Sequence, residues 1–303
     1  MRGKIGIFAP SQVGDIITTT AVFKYRDQIW PDKDIIWFTD NHTDALKFSP
    51  VAEIRPYSAY DYRSLKVNSG VGHFMNRLDL NEKTVPSTAD LEAGYFPLPW
   101  MLERVEQRQG IIYPQISQRI FGIDLSLPWR PCLAFSDEER KMVADIMATL
   151  PHKKTVMFEN SPCSYSAWND GLTHLVMTKC RKKWGKVNFF FASGGHRSGN
   201  DMSRFFDDAG CISGSYLTAR QSALVNDHCD LFVGVAGALT FSTSCWDAKP
   251  IPKLIYTGSE IFGARSIANG RIEIVAMDNH GNNVHAAEND FKHKLEILLS
   301  ETA

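Results

Sequence analysis

The stretch "GIFAPSQVGDIITTTAVF", residues 6–23, decides how the rest of the chain is read. A short apolar run, Ile5 to Ala9, has the length and composition of a strand. It leads into a polar turn, Pro10-Ser11-Gln12-Val13-Gly14, after which Asp15 opens a helix carrying three consecutive threonines, Thr18 to Thr20. Strand, glycine turn and helix is the usual build of a phosphate or nucleotide site. Here the turn holds one glycine and ends in a carboxylate, so a negative charge stands where a phosphate would otherwise sit.

Working outward, the helix is expected from Asp15 to about Ile29, stopped by Pro31, with a second strand over "DIIWFT", 34–39. Two parallel strands joined by a helix make a βαβ unit and predict an α/β sheet. A third strand is expected near Val51–Ile54, followed by loops and short helices from Tyr57 to Pro131. At Ser136 the pattern sharpens: "SDEERKMVADIMATL" opens with Ser136 and Glu139 as a capping box. Strands are then expected at 155–158, 187–193, near Cys211, at 231–236, near 252–256 and at 272–276. Helices are expected at 171–184, 200–208, 217–226, 239–247 and 288–299. This alternation predicts a second parallel sheet wrapped by helices, hence two α/β domains, 1–134 and 135–303, with a ligand cleft at the carboxyl ends of their strands.

The composition bounds the function. The chain has 303 residues, a formal net charge of −1 and a pI near 6.8, so no general basic field exists to hold duplex DNA by counterion release. The six cysteines form no CxxC pair and read as reduced, mostly buried thiols. No apolar run approaches the length of a membrane-spanning helix, and no cationic leader with an apolar core precedes Ile5. A cytoplasmic protein is expected.

Candidate site residues collect on loops that follow strands. Asp15, at a helix N-terminus, is either a general base for an acceptor hydroxyl or a helix cap. In "GVAGALTFSTSCWDAKP" (234–250), Gly237 and Ala238 allow close approach of a ligand, and Thr240, Ser242 and Thr243 offer hydroxyl donors suited to a diphosphate. The loop "FENSPCSYSAW" (158–168) would project Glu159, Asn160 and Ser161 into the cleft, and "ASGGHR" (192–197) would offer Gly194 and Gly195 to a flat base or ribose. Thr18 and Thr19 are read as either ligand contacts or packing. Tyr57, Tyr60, Tyr62, Tyr95 and Trp100 suit an acceptor sugar or a core. The run "KCRKKWGK" (179–186) reads as a solvated helix end, His280 and His285 share no metal-ligand spacing, and Asp40 lacks the glycine fingerprint of an NAD site.

Order and spacing together resemble one family. "SQVGDII" (11–17) is similar to the S-x-x-G-D motif of glycosyltransferase family nine, the ADP-heptose:lipopolysaccharide heptosyltransferases. The segment 217–258, "LTARQSALVNDHCDLFVGVAGALTFSTSCWDAKPIPKLIYTG", resembles that family's sugar-nucleotide signature, and "LAFSDEERKMVADIM" with "TVMFENSP" resembles the start of its C-terminal domain. The resemblance implies the GT-B fold, two facing Rossmann-like domains. It also implies transfer of a sugar from a nucleotide-diphosphate donor with inversion, with no catalytic metal and no cofactor. On this reading Asp15 is the base, domain 1–134 takes the acceptor, and domain 135–303 binds the nucleotide sugar. The acceptor is a glycan or other hydroxyl compound, for which a membrane surface is one place of presentation. The chain departs from the family where its donor-loop Asp falls on Ala236 and its His on Phe241, and where Ser166 and Ala167 replace a lysine. Backbone N–H groups with Thr240, Ser242 and Thr243 are the expected substitutes. Two alternatives stand beside this: a non-catalytic nucleotide- or sugar-binding relative, and a phage-type transferase that glycosylates a modified nucleic-acid base.

Overall fold

A computed structural model describes residues 2–9, 13–39, 42–56, 90–95, 113–159, 168, 170–192, 210–258, 269–281 and 283–302. The chain divides into two units, Met1–Ala134 and Phe135–Ala303. In the first, β1 (Lys4–Phe8), β2 (Asp34–Phe38), β3 (Glu53–Arg55) and β4 (Ala93–Tyr95) form a parallel sheet in the order β3-β2-β1-β4. β1 and β2 pair from Lys4 opposite Asp34 to Phe8 opposite Phe38, and their apolar residues are buried on both faces, as a covered parallel sheet requires.

The helix expected over Asp15–Ile29 is broken into three pieces. α1 (Val13–Thr19) passes into a 3₁₀ stretch (Thr20–Tyr25) and then α2 (Arg26–Ile29). The threonines explain the change. Thr18, Thr19 and Thr20 donate their hydroxyls back to the carbonyls of Gly14, Asp15 and Ile17 at 2.9, 2.7 and 2.6 Å, and such back-bonding bends a helix. Thr20 Oγ1 also accepts from the Cys132 backbone N–H at 3.0 Å. β4 and α3 (Tyr113–Phe121) lie in the region read as irregular. β4 has only three residues and no alternation of its own, yet it completes the sheet beside β1.

The second unit holds β5 (Lys154–Glu159), β6 (Val187–Phe191), β7 (Cys211–Ser213), β8 (Leu231–Val235), β9 (Lys253–Thr257) and β10 (Ile272–Ala276), all parallel, in the order β10-β9-β8-β5-β6-β7. Its helices are α4 (Asp137–Ala148), α5 (Asp170–Trp184), α6 (Ala219–Val225), α7 (Ala238–Ser242) and α8 (Val284–Glu301). Alternate strand residues feed two cores: Val156, Phe158, Phe189 and Phe191 on one face with Phe291 and Leu295 of α8, and Met157, Phe190 and Phe232 on the other with Val143 of α4 and Leu224 of α6. α8 begins earlier than its periodicity suggests because the Asn283 side chain caps it, accepting from Ala286 N–H at 3.1 Å. α7 is shorter than expected, and the hydroxyls of Thr240 and Ser242 within it and of Thr243 and Ser244 just after it again bond back to the main chain.

The expected capping box of α4 is present: Glu139 N–H donates to Ser136 Oγ at 3.2 Å and Ser136 N–H to Glu139 Oε2 at 3.2 Å. A second box, Thr218 with Gln221, opens α6. One carboxylate joins them. Glu139 accepts from both terminal nitrogens of the buried Arg220, 2.8 Å at Nη1, and from Gln221 Nε2 at 3.3 Å. The guanidinium beside it pulls the Glu139 carboxyl down to about 2.

Because the folded carboxyl titrates below its unfolded value, its contribution is present above the ordinary carboxylate range and is lost as pH falls toward about 2. Glu139→Ala leaves Arg220 buried without its partner and should cost about 3–5 kcal/mol in urea unfolding. In Glu139→Gln, the decline of stability over that acid range should be shallower than in the wild type.

Candidate functional site

Open α/β sheets bind ligands beyond the carboxyl ends of their strands, at the point where strand order reverses. Numbered from β5, the second sheet follows the doubly wound order 6-5-4-1-2-3, and its reversal falls between β5 and β8. Glu159 ends β5 and lies opposite Gly234 of β8, so the turn after β8, with Gly237 and Ala238, adjoins Glu159. The first sheet runs 3-2-1-4, and its reversal falls between β1 and β4. The segment after β1 is the one that carries Asp15.

Asp15 is half-buried in the first turn of α1. The helix starts at Val13, two residues before the expected Asp15, so Asp15 occupies the third helical position and not the cap. Thr18 and Thr19 are buried and their hydroxyls are engaged by their own helix; these two residues pack.

The turn after β8 differs from expectation in its chemistry. Thr240, Ser242 and Thr243 are fully buried. Thr240 Oγ1 donates to Val235 O at 3.0 Å, Ser242 Oγ to Leu239 O at 3.3 Å and Thr243 Oγ1 to Leu239 O at 2.7 Å. Their protons are committed to the main chain, so the expectation that these hydroxyls serve a diphosphate is corrected. Phe241 is also buried, and Ala236 is 7% exposed. What the turn presents is backbone: Gly237 is extended, partly exposed, and faces open space where a Cβ would stand. The first N–H groups of a helix lack partners within it.

Glu159 is buried at the end of β5. Asn160, Ser161, Gly194 and Gly195 lie outside the described residues, as do Asp40, Tyr57, Tyr60, Tyr62, Trp100, Ser166, Ala167 and the helix expected at 200–208. Tyr95 packs in an aromatic cluster with Trp30 and Phe121, at ring-centroid distances of 4.9 and 5.6 Å, and accepts from Trp30 Nε1 at 3.2 Å; for this residue the core reading holds. His280 Nε2 lies 3.1 Å from Asp290, which also receives Lys294 at 2.7 Å, while His285 is exposed beside Glu288 at 3.6 Å. Each histidine thus has its own carboxylate neighbour and the two share none. Among the described residues no group of three or more His, Cys, Asp or Glu is placed to hold a metal ion. The basic run ends α5, with Arg181 over Phe189 and Lys179 paired to Glu296 at 2.5 Å. A groove of about 540 Å³ lined by Asp145, Ile146, Leu150, Ile212 and Tyr216 includes none of the candidate residues.

Sequence reasoning missed Lys253. This lysine opens β9 and is wholly buried, with its Nζ donating to Thr243 O at 3.0 Å and Asn226 Oδ1 at 3.1 Å. The available signal was a cation heading the apolar strand "KLIYT" between prolines and an aromatic. Among the described residues no helix is long and apolar enough to cross a membrane, and the described cysteines are free thiols, all buried except the half-buried Cys132.

No family model and no curated protein matches this chain. Solved structures do match, over nearly its whole length. A glycosyl transferase of family 9 from Veillonella parvula superposes with a TM-score of 0.64 at 12% identity, covering 99% of this chain and 98% of that one. The ADP-heptose lps heptosyltransferase II of E. coli gives 0.57 at 15% identity, covering 97% and 99%. The E. coli heptosyltransferase WaaC with ADP gives 0.52 at 12%, covering 94% and 99%. The chain therefore has the two-domain, Rossmann-like GT-B architecture of those transferases.

Close approach of β8 to β5 depends on Gly234, where a Cβ would lie 2.6 Å from the Glu159 carbonyl oxygen and 2.7 Å from its Cβ. Gly234→Ala should push the strands apart at the switch point and cost about 1–3 kcal/mol in thermal or urea unfolding. A wild-type midpoint would show that the sheet yields there freely.

Proposed function

We propose that this chain is a metal-independent, inverting glycosyltransferase that moves a sugar from a nucleotide-diphosphate donor to an acceptor hydroxyl. The observation that carries the reading is the coincidence of both switch points with the segments singled out by sequence. Asp15 follows β1 in one sheet, and Glu159 with Gly237 and Ala238 follows β5 and β8 in the other. The whole-chain likeness to solved glycosyltransferases, two of them heptosyltransferases, supports it.

In the proposed reaction the Asp15 carboxylate takes the proton of the acceptor hydroxyl as its oxygen attacks the anomeric carbon. The bond from that carbon to the diphosphate breaks, and the nucleoside diphosphate departs with the electron pair. Attack from the face opposite the leaving group inverts the anomeric centre. The second unit would hold the nucleotide, with Glu159, Asn160 and Ser161 on one loop, Gly194 and Gly195 on the next, and Gly237 and Ala238 supplying main-chain N–H groups to the developing negative charge. Hydroxyl donation from Thr240, Ser242 and Thr243 is not part of this proposal.

One observation favours a second reading, a non-catalytic nucleotide-binding relative: the positions where the family carries its donor-loop Asp and His hold the buried Ala236 and Phe241. Turnover separates the two. Asp15→Asn should keep fold and nucleotide affinity while lowering sugar transfer by about 10²–10⁴; an unchanged rate would remove Asp15 as base. Thermal shifts against ADP, UDP, GDP, CMP, dTDP and NAD, with and without Mg²⁺, should show stabilisation by a nucleoside diphosphate without the metal and none by NAD. Stabilisation only with Mg²⁺ would contradict the metal-independent reading, and nucleotide binding without any turnover would favour the non-catalytic one.

A further inference from the structure

Lys253 opens β9 opposite Phe232, at the amino edge of the sheet, and is linked to the turn that follows β8 only through the far end of α7. Its ammonium bridges three elements: β9, which carries it; the 3₁₀ turn Asn226–His228, through Asn226 Oδ1 at 3.1 Å; and the residue ending α7, through Thr243 O at 3.0 Å. It lies 5.4 Å from the centre of the Phe232 ring on β8. Asn226 is itself buried and fixed, its Nδ2 donating to Lys249 O at 2.9 Å. Among the described residues no carboxylate stands within ion-pair distance of Lys253, and both of its acceptors are neutral oxygens. A buried lysine without a counter-ion is a costly choice for a core, and a methionine would fill comparable space. What methionine cannot do is donate to the carbonyl of Thr243, which caps the end of α7, and to Asn226 at once.

We propose that Lys253 is a positioning residue of the nucleotide site, its buried ammonium fixing the end of α7 and with it the β8–α7 turn that carries Gly237 and Ala238. This rests on the reading of that turn as part of a nucleotide site. It extends that reading by making the turn's order depend on a proton. Burial pushes the lysine down to about 7, partly opposed by Cys229, Cys245 and Asp227. Lys249, whose N–H donates to Asp227 Oδ1 at 2.8 Å and whose Nζ donates to Cys229 O at 3.1 Å, is the other charge in this neighbourhood. β8 and β10 meet Lys253 at register with Phe232 and Ile272, neither ionisable. As the ammonium loses its proton, two charge-assisted hydrogen bonds become ordinary ones, so affinity at the turn should fall as pH rises through neutrality. Global stability should move the other way. The unfolded lysine holds its proton to higher pH than the folded one, so stability rises from about pH 7 toward the ordinary lysine range.

Nucleotide-sugar diesters test this cleanly, because their diphosphates have no titration near neutrality. Isothermal titration of ADP-, UDP-, GDP- and dTDP-glucose from pH 6 to 9 compares wild type with Lys253→Met. The wild type should bind its preferred diester roughly tenfold more weakly at pH 9 than at pH 6, the equivalent of one charge-assisted hydrogen bond. Lys253→Met should be weak and flat across the range. Equal, pH-independent affinities in both proteins would overturn the role of Lys253 while leaving the nucleotide site standing. Failure of the wild type to bind any diester would overturn both. Should Lys253→Met fail to fold, wild-type titrations near pH 7.5 in two buffers of different ionisation enthalpy decide the matter: proton uptake on binding supports the proposal, and none refutes it.

Discussion

The pairing of β5 with β8 crosses over two intervening strands, β6 and β7, with their helices, and the chemistry of the second unit follows from it. Parallel strands that are not consecutive must be joined by long connections, and right-handed crossovers send the helices to both faces. That leaves one gap at the carboxyl edge where the connections diverge. Glu159 and the turn after Val235 are brought to this gap by register, and Gly234 lets the two backbones meet without a side chain between them. The first sheet repeats the arrangement on a smaller scale, with Gly6 of β1 opposite Gly94 of β4.

The β8–α7 turn shows how a resemblance in sequence order can conceal a change in chemistry. Its small residues keep the main chain accessible, yet every described hydroxyl on α7 turns inward. A site made of main-chain N–H groups depends on where the backbone is held more than on which side chains project from it. In the proposed site, the buried lysine at the head of β9 acts on that backbone from the far end of α7.

Fold class was legible because the strongest signals are local and repetitive. "VNFFF" and "LFVGV" are apolar without alternation, as strands covered on both faces must be, and Ser136 with Glu139 announces a helix start by two hydrogen bonds. β4 was illegible since three residues carry no period; its place comes from pairing with β1. The break in the first helix was written in Thr18 to Thr20, whose hydroxyls compete for backbone carbonyls, but runs of hydroxyls also occur in unbroken helices. Asp15 could be singled out by its position after a strand. The inward turn of Thr240, Ser242 and Thr243 could not, because a hydroxyl's direction is set by the packing around it and not by its spacing.

The double capping box at Glu139 has a consequence for the order of synthesis. Glu139 precedes Arg220 by 81 positions, which a ribosome covers in roughly 4–16 s at about 5–20 residues per second. During that interval the first helix of the second unit can close its own cap, but it carries a carboxylate destined for burial with no cation yet made to meet it. The buried Glu139–Arg220 pair can therefore close only once α6 has been made, with β8, β9, β10 and α8 still to follow.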